Sequence, residues 1–207
     1  MKGQDMTEYE CMCAGRLFQF DDEIRSMGLR ARNLLEKYNT MPVASFEEKR
    51  QILTELFGRF GEGSYIQGPF YCDFGCRTYI GSHTHINFGA TFLDGGTISI
   101  GDYVQIGPNA GLYTPVHPID PDVRKTELEL GRPIVIHDGV WLGGHVVVNP
   151  GVTIGKNSVI GSGSVVTKDI PDNVVAVGNP CRIIRSIGEE DKVYWEQMAA
   201  HRKEILW

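Results

Sequence analysis

The sequence predicts a mainly β fold, a solenoid of short parallel strands carrying helices at its two ends. Three observations predict it. Aliphatic or aromatic residues recur at every sixth position through the second half of the chain; its 25 glycines follow no collagen triplet; and apolar residues at helical spacing are confined to the terminal segments. An amphipathic helix repeats at three and four residues and a half-buried strand at two, so a strict six fits neither. Three hexads close one triangular coil, with the recurring apolar side chain pointing inward and Gly or Asn taking the corners.

Residues 1–65 read as an N-terminal helical cap. From Asp21 to Asn39 the apolar positions Ile24, Met27, Leu34, Leu35 and Tyr38 predict one helix. Ser45-Phe46-Glu47-Glu48 offers a capping box ahead of Ile52, Leu53, Leu56 and Phe57, which predicts a second. Gly58, Gly61, Gly63 and Gly68-Pro69 then punctuate the approach to the solenoid, assigned to residues 66–187. Its first block runs Ile80-Gly81, Ile86-Asn87, Phe92-Leu93, and its second Ile100-Gly101, Ile106-Gly107, Leu112-Tyr113. The third and longest block starts at Ile136 and steps through Leu142, Val148, Ile154 and Ile160 to Val166. Val140, Val146, Val152, Ser158 and Ser164 form a second column four residues after its first five members. Between the second and third blocks the segment 113–135 breaks the period with Pro115, Pro118 and Pro121, and is expected to loop out as functional loops do. Residues 188–207 close the chain, with a short helix from Glu189 to Ile205. These helices are expected to cover the open ends of the coil.

Composition narrows the function. The 207 residues carry 20 Lys plus Arg against 26 Asp plus Glu, a formal charge of −6, which argues against a general binder of nucleic acid or anionic membrane. With 42% hydrophobic and 22% charged residues the chain is globular rather than disordered. It contains no run of about 18 apolar residues and begins without an apolar secretory core. Cys11, Cys13, Cys72, Cys76 and Cys181 make an odd number in a chain large enough to fold without staples, as expected of a cytoplasmic protein. Cys72 and Cys76 lack a second pair to complete a zinc site, and no metal is expected.

Asn149-Pro150-Gly151-Val152-Thr153-Ile154-Gly155, the stretch from Gly161 to Pro171, and Gly178-Asn179-Pro180-Cys181-Arg182 together resemble one family, the hexapeptide-repeat sugar O-acetyltransferases acting on maltose and galactosides. Ala14-Gly15-Arg16-Leu17-Phe18, Leu29-Arg30-Ala31-Arg32 and Tyr38-Asn39 are similar to its N-terminal helical region, so the resemblance spans nearly the whole chain. It implies a left-handed parallel β-helix, a hand that the period alone does not fix, and transfer of acetyl from acetyl-CoA to a sugar hydroxyl. It also implies a homotrimer with active sites between neighbouring subunits. Related families use other acceptors, such as streptogramin antibiotics, serine or nodulation-type oligosaccharides. A zinc anhydrase on the same coil is the rival enzyme; it leaves the basic residues of the C-terminal coils unexplained. An inert scaffold is the non-enzymatic rival, and it makes those residues and the proline-framed histidine accidental.

A sugar hydroxyl attacks a thioester poorly until a base takes its proton, and histidine exchanges protons near neutrality. His117, in Val116-His117-Pro118, matches the position of the family's base. Glu129 is either a carboxylate behind His117 or a solvated loop acid. Gly144, in Gly143-Gly144, matches the amide that faces the charge developing on the thioester oxygen. For the acceptor, Asn87 matches a sugar-binding residue, while His85, Asp73 and Asp94 fall near other acceptor contacts. His83 and His85 are expected on the same side of one strand. Asp21 or Asp22 stands either for an N-terminal acceptor-binding carboxylate or for a helix cap, since Phe20 occupies one alignment's acidic position. For the coenzyme the resemblance implies Lys168, Arg182 and Arg185 on its phosphates, with Ser162, Gly163 and Thr167 on its pantetheine arm or nucleotide. Trp141 packs on the coenzyme, or else in the core or a trimer interface.

Overall fold

The computed structural model describes residues 6–205; residues 1–5 of the expected cap and 206–207 of the expected terminal segment lie outside the described residues. Three parallel sheets form the walls of a β-solenoid. The first wall stacks Arg59–Phe60, Thr78–Ile80, Ile98–Ile100, Ile134–Ile136 and Thr153–Ile154. The second stacks Tyr65–Ile66, His85–Ile86, Gln105–Ile106, Trp141–Leu142, Val159–Ile160 and Val174–Val177. The third stacks Tyr71–Cys72, Thr91–Leu93, Gly111–Tyr113, Val147–Val148 and Val165–Val166.

The period of six appears directly as register. Ile80 pairs with Ile100, Ile100 with Ile136 and Ile136 with Ile154 on the first wall. Ile86, Ile106, Leu142 and Ile160 align on the second, and Phe92, Leu112, Val148 and Val166 on the third. Each of these columns is buried, and each fully buried aliphatic side chain contributes about 1.5–3 kcal/mol relative to exposure. The second column turns inward too, and where it is polar it ties coils together. Ser158 accepts from Val174 N and donates to Pro171 O, while Ser164 accepts from Gly178 N and donates to Gly161 O. Ser64 and Thr84 repeat the device at the N-terminal end.

Corners need the left-handed backbone region. One corner is turned by Gly63, His83, Tyr103, Gly139, Asn157 and Asn173, all at φ between 55° and 69°. His83 and His85 therefore do not share a strand: His83 stacks on Tyr103 in the corner, 4.9 Å between ring centroids, and only His85 lies in the wall. Spacing alone suggested otherwise because two residues apart means one side only within an extended strand.

Three helices precede the coil: α1 (Glu8–Cys13), α2 (Asp22–Thr40) and α3 (Phe46–Leu56). The first was missed, being too short to show a period, and it carries the capping box expected at Ser45. Thr7 and Glu10 cap each other's backbone, whereas Ser45 makes no side-chain capping bond. Leu34, Leu35 and Tyr38 of α2 and Leu53 and Leu56 of α3 join the solenoid core and close its first coil. Asn39 pairs with Phe70 through both N–H and carbonyl, completing the edge as another strand would. The parallel ladder opens at Arg59–Phe60, ahead of residue 66, because Gly58 and Gly61 already donate to Thr78 and Ile80.

The interruption of the repeat is not structureless. Pro115–Val116 pairs antiparallel with Leu130–Gly131, and between them Pro121–Arg124 forms a short helical turn, α4, capped by Asp120. The excursion is thus a hairpin arm with an ordered tip. At the other end, Arg182–Ser186 folds back antiparallel on Val174–Val177 and shields the last coil. The final helix, α5 (Glu189–Ile205), does not cap it: Val193, Tyr194, Trp195 and Met198 are all exposed. Bidentate pairing of Arg185 with Asp191 tethers it instead.

Candidate active site

The hairpin arm presents His117 immediately after its first strand. Arg124 donates from Nη1 to the carbonyls of Pro118 and Ile119, both at 3.0 Å, so the arm braces the turn that follows the histidine. Glu129 returns along the arm beneath it. Its backbone exchanges two hydrogen bonds with Phe18, at 2.9 and 3.1 Å, so the segment after α1 clamps the acid in place. His117 Nε2 lies 3.6 Å from Glu129 Oε2, an ion-pair distance longer than a hydrogen bond. The imidazole is 56% exposed and the carboxylate 10%, which makes the histidine the accessible partner. Burial pushes the Glu129 carboxyl up, and the neighbouring His117 opposes that shift when it is charged. Phe20, Arg124 and Glu127 complete the walls of this pocket.

Phe20 also bounds a second hollow with Ile24, Gly28, Leu29, Arg32, Asp73 and Phe74. The Asp73 carboxyl is raised to about 6, first by burial and then by the charges of Asp94 and Glu129, with Arg32 opposing. Asp94 cannot contact an acceptor. It is wholly buried, accepting from Phe74 N at 2.8 Å and Thr78 Oγ1 at 3.1 Å, and so acts as a strut where the repeat slips. Asp21 is the N-cap of α2, accepting from Ile24 N at 2.9 Å, and the exposed Asp22 sits in the first turn beside Arg25. Neither lines the His117 pocket of the single chain; Asp21 serves as the cap and Asp22 as a first-turn acid of α2.

A separate groove runs over the second wall. Tyr65, Gln67, His85, Asn87, Gln105 and Trp141 line it with Ile86, Ile106 and Gly107. Asn87 Oδ1 accepts from Phe88 N at 2.8 Å, which leaves the amide nitrogen without a bond to its own backbone neighbour. The tryptophan is 54% exposed, outside the core of the single chain. Tyr65, Gln67 and Gln105 were missed by the sequence reading. Their signal was present: each precedes or follows an inward Ile of the period and so must face outward.

Beyond Trp141 the wall leads to Gly144. Among the described residues its N–H meets no acceptor, while its carbonyl accepts from Gly163 N at 2.9 Å. Gly163, at φ +72, would have open space around an added Cβ, so backbone is accessible here. Ser162, Thr167 and Lys168 are exposed further along, with Arg182 on the returning strand. Arg182 donates to its neighbour Cys181 O, whereas both terminal nitrogens of Arg185 are engaged by Asp191. A free amide, an exposed indole, an unobstructed glycine and exposed cations fit a long anionic thioester. Among the described residues no three His, Cys, Asp or Glu side chains converge on a metal-sized site.

Residues 11–61 match the maltose acetyltransferase hexapeptide capping motif, and residues 133–168 match the bacterial transferase hexapeptide of six repeats. The galactoside O-acetyltransferase of Escherichia coli K12 is 42% identical over 192 residues, covering 92% of this chain and 95% of its own. A maltose O-acetyltransferase from Clostridium difficile 630 superposes with a TM-score of 0.88 at 41% identity, over 89% of this chain and all of its own. A hexapeptide-repeat acetyltransferase of Vibrio cholerae, solved in complex with acetyl coenzyme A, gives a TM-score of 0.83 at 41% identity over 88% of this chain and all of its own. A solenoid capped by the α1–α3 region, an arm-borne histidine and a free glycine amide accompany that likeness, and the chain belongs to the hexapeptide-repeat O-acetyltransferase family.

Proposed function

We propose that this acetyl-CoA-dependent O-acetyltransferase acetylates a sugar hydroxyl, with His117 as general base, in a homotrimer whose sites are shared between subunits. The observation that carries the reading is the His117–Glu129 pair at 3.6 Å, an exposed imidazole backed by a buried carboxylate on an ordered arm. His117 takes the proton of the attacking hydroxyl, a role worth about 10²–10⁴-fold in rate, and returns it to the coenzyme A thiolate as the thioester C–S bond breaks, while Glu129 stabilises the intervening imidazolium. Acetyl-CoA supplies an activated acetyl thioester. The Gly144 N–H is directed at the oxygen on which charge develops, Trp141 packs along the coenzyme arm, and Ser162, Gly163 and Thr167 hydrogen-bond it. Lys168 and Arg182 hold its phosphates, with Arg185 recruited when Asp191 releases it. Asn87 and His85 orient the acceptor, and Asp73 lies near it behind Phe20.

A mismatch within one chain supports the shared site. The His117 pocket and the Asn87–Trp141 groove have no lining residue in common, yet base, acceptor and thioester must meet. A neighbour's arm laid against the groove brings them together and covers the exposed aromatics of the second wall. A cytoplasmic setting accompanies this reading, since all five cysteines are free thiols and acetyl-CoA is the donor.

Complementation tests it. His117→Ala and Asn87→Ala are each expected to be nearly inactive in acetyl-CoA thiol release with maltose, glucose or a galactoside. Dissociated, mixed equally and reassembled, they should regain up to about a quarter of wild-type activity, since random assembly leaves that share of sites with both residues intact. Mixed trimers without recovered turnover would contradict the shared site.

A further inference from the structure

The final helix, α5, is left uncovered by its own chain. Every residue from Lys192 to Arg202 is exposed, and among the described residues its side-chain link to the solenoid is the pairing of Asp191 with Arg185. A helix of 17 residues without packing is marginal in water, since helices in proteins draw most of their stability from a packed apolar face. α5 has such a face. Tyr194 and Met198 stand four residues apart and so lie on one stripe, with Trp195 beside them, and all three are more than half exposed. The rings of Tyr194 and Trp195 meet edge to face at 5.3 Å between centroids. The same four-residue step leads back to Glu190 and on to Arg202, so the stripe reads acid, tyrosine, methionine, base. Among the described residues neither Glu190 nor Arg202 enters an ion pair.

Such a stripe is complementary to itself when reversed. We propose that α5 docks antiparallel on the α5 of a second copy of this chain, about a twofold axis. With the crossing midway between Tyr194 and Met198, each Tyr194 ring meets the partner's Met198 thioether and each Glu190 faces the partner's Arg202. Parallel pairing would set Glu190 against Glu190 and Arg202 against Arg202. A threefold axis cannot place two copies of a helix antiparallel, so the second copy lies outside the homotrimer proposed above, and the contact joins two trimers through their C-terminal ends. The acidic first turn, Glu189, Glu190 and Asp191, together with the chain's charge of −6, disfavours an anionic lipid surface as the occupant of the stripe.

The test measures assembly mass of the full chain by light scattering over about 1–100 μM subunit. The wild type is expected at the mass of six chains. Met198→Asp, Glu190→Arg and Arg202→Glu should each weaken the pairing at least about tenfold, halving the mass while turnover per subunit is unchanged. Mixing Glu190→Arg with Arg202→Glu should restore the full mass, because opposite charges face each other again at both ends; loss of the helix in either variant would not be repaired this way. A wild type at the mass of three chains throughout the range would overturn the pairing. So would single variants that keep the full mass, a mixture that stays at half mass, or flotation of the wild type with phosphatidylserine vesicles in place of self-association. A fall from two chains to one, rather than from six to three, would uphold the pairing and overturn the homotrimer.

Discussion

Asp73 gives the most quantitative prediction. Its carboxyl is raised from 3.8 to about 6 because the native fold removes it from water and places it near Asp94 and Glu129, with only Arg32 opposing. Native Asp73 therefore holds its proton more tightly than the unfolded chain. Its contribution favours folding below about pH 4 and is lost as pH rises through about 6. The gap between the two values corresponds to about 3 kcal/mol at 1.36 kcal/mol per pH unit, and partial exposure reduces the expected effect to about 1–2 kcal/mol. Asp73→Asn should accordingly stabilise the protein by about 1–2 kcal/mol at pH 7.5, and the gain should vanish by about pH 4. Urea unfolding at fixed protein concentration across pH 4 to 8 reads both quantities. A variant that is less stable than wild type at pH 7.5, or whose difference does not change with pH, would refute the assignment of Asp73 as a buried, repelled acid.

Other consequences are simpler to read. Ser158→Ala strips partners from the buried Val174 N–H and from Pro171 O, and should cost about 1–3 kcal/mol in denaturant unfolding. Gly139→Ala places a Cβ 2.5 Å from Asn157 Oδ1 at φ +68, so a loss of about 1–2 kcal/mol is expected by the same assay. Asp191→Ala frees Arg185 from its bidentate partner; if that guanidinium serves the coenzyme, KM for acetyl-CoA should fall while the thermal midpoint barely moves.

The solenoid was legible because its physics is one-dimensional. Each inward residue recurs at a fixed interval, so Ile86, Ile106, Leu142 and Ile160 declare their alignment without any knowledge of long-range contacts. The Asn39–Phe70 pairing and the return of Arg182–Ser186 were not legible, since each depends on which edge is left open after the coil has formed. Asp94 shows the limit for the site. The family resemblance places it near an acceptor contact, but at the slip in the repeat a carboxylate is consumed by Phe74 N and Thr78 Oγ1. Asp21 accepts from Ile24 N through Oδ1 as the cap of α2, a contact that its place ahead of the apolar period signals. His117 and Glu129 stand twelve residues apart in sequence, and only the antiparallel arm brings them to 3.6 Å.

The central claim, that His117 is the base, is tested most directly by thiol release from acetyl-CoA with maltose, glucose and a galactoside, comparing wild type and His117→Ala at equal subunit concentration. The account predicts sugar-dependent turnover in the wild type and a fall in kcat of at least about a hundredfold in the variant, with acetyl-CoA binding retained. A variant within a few-fold of the wild type would contradict it.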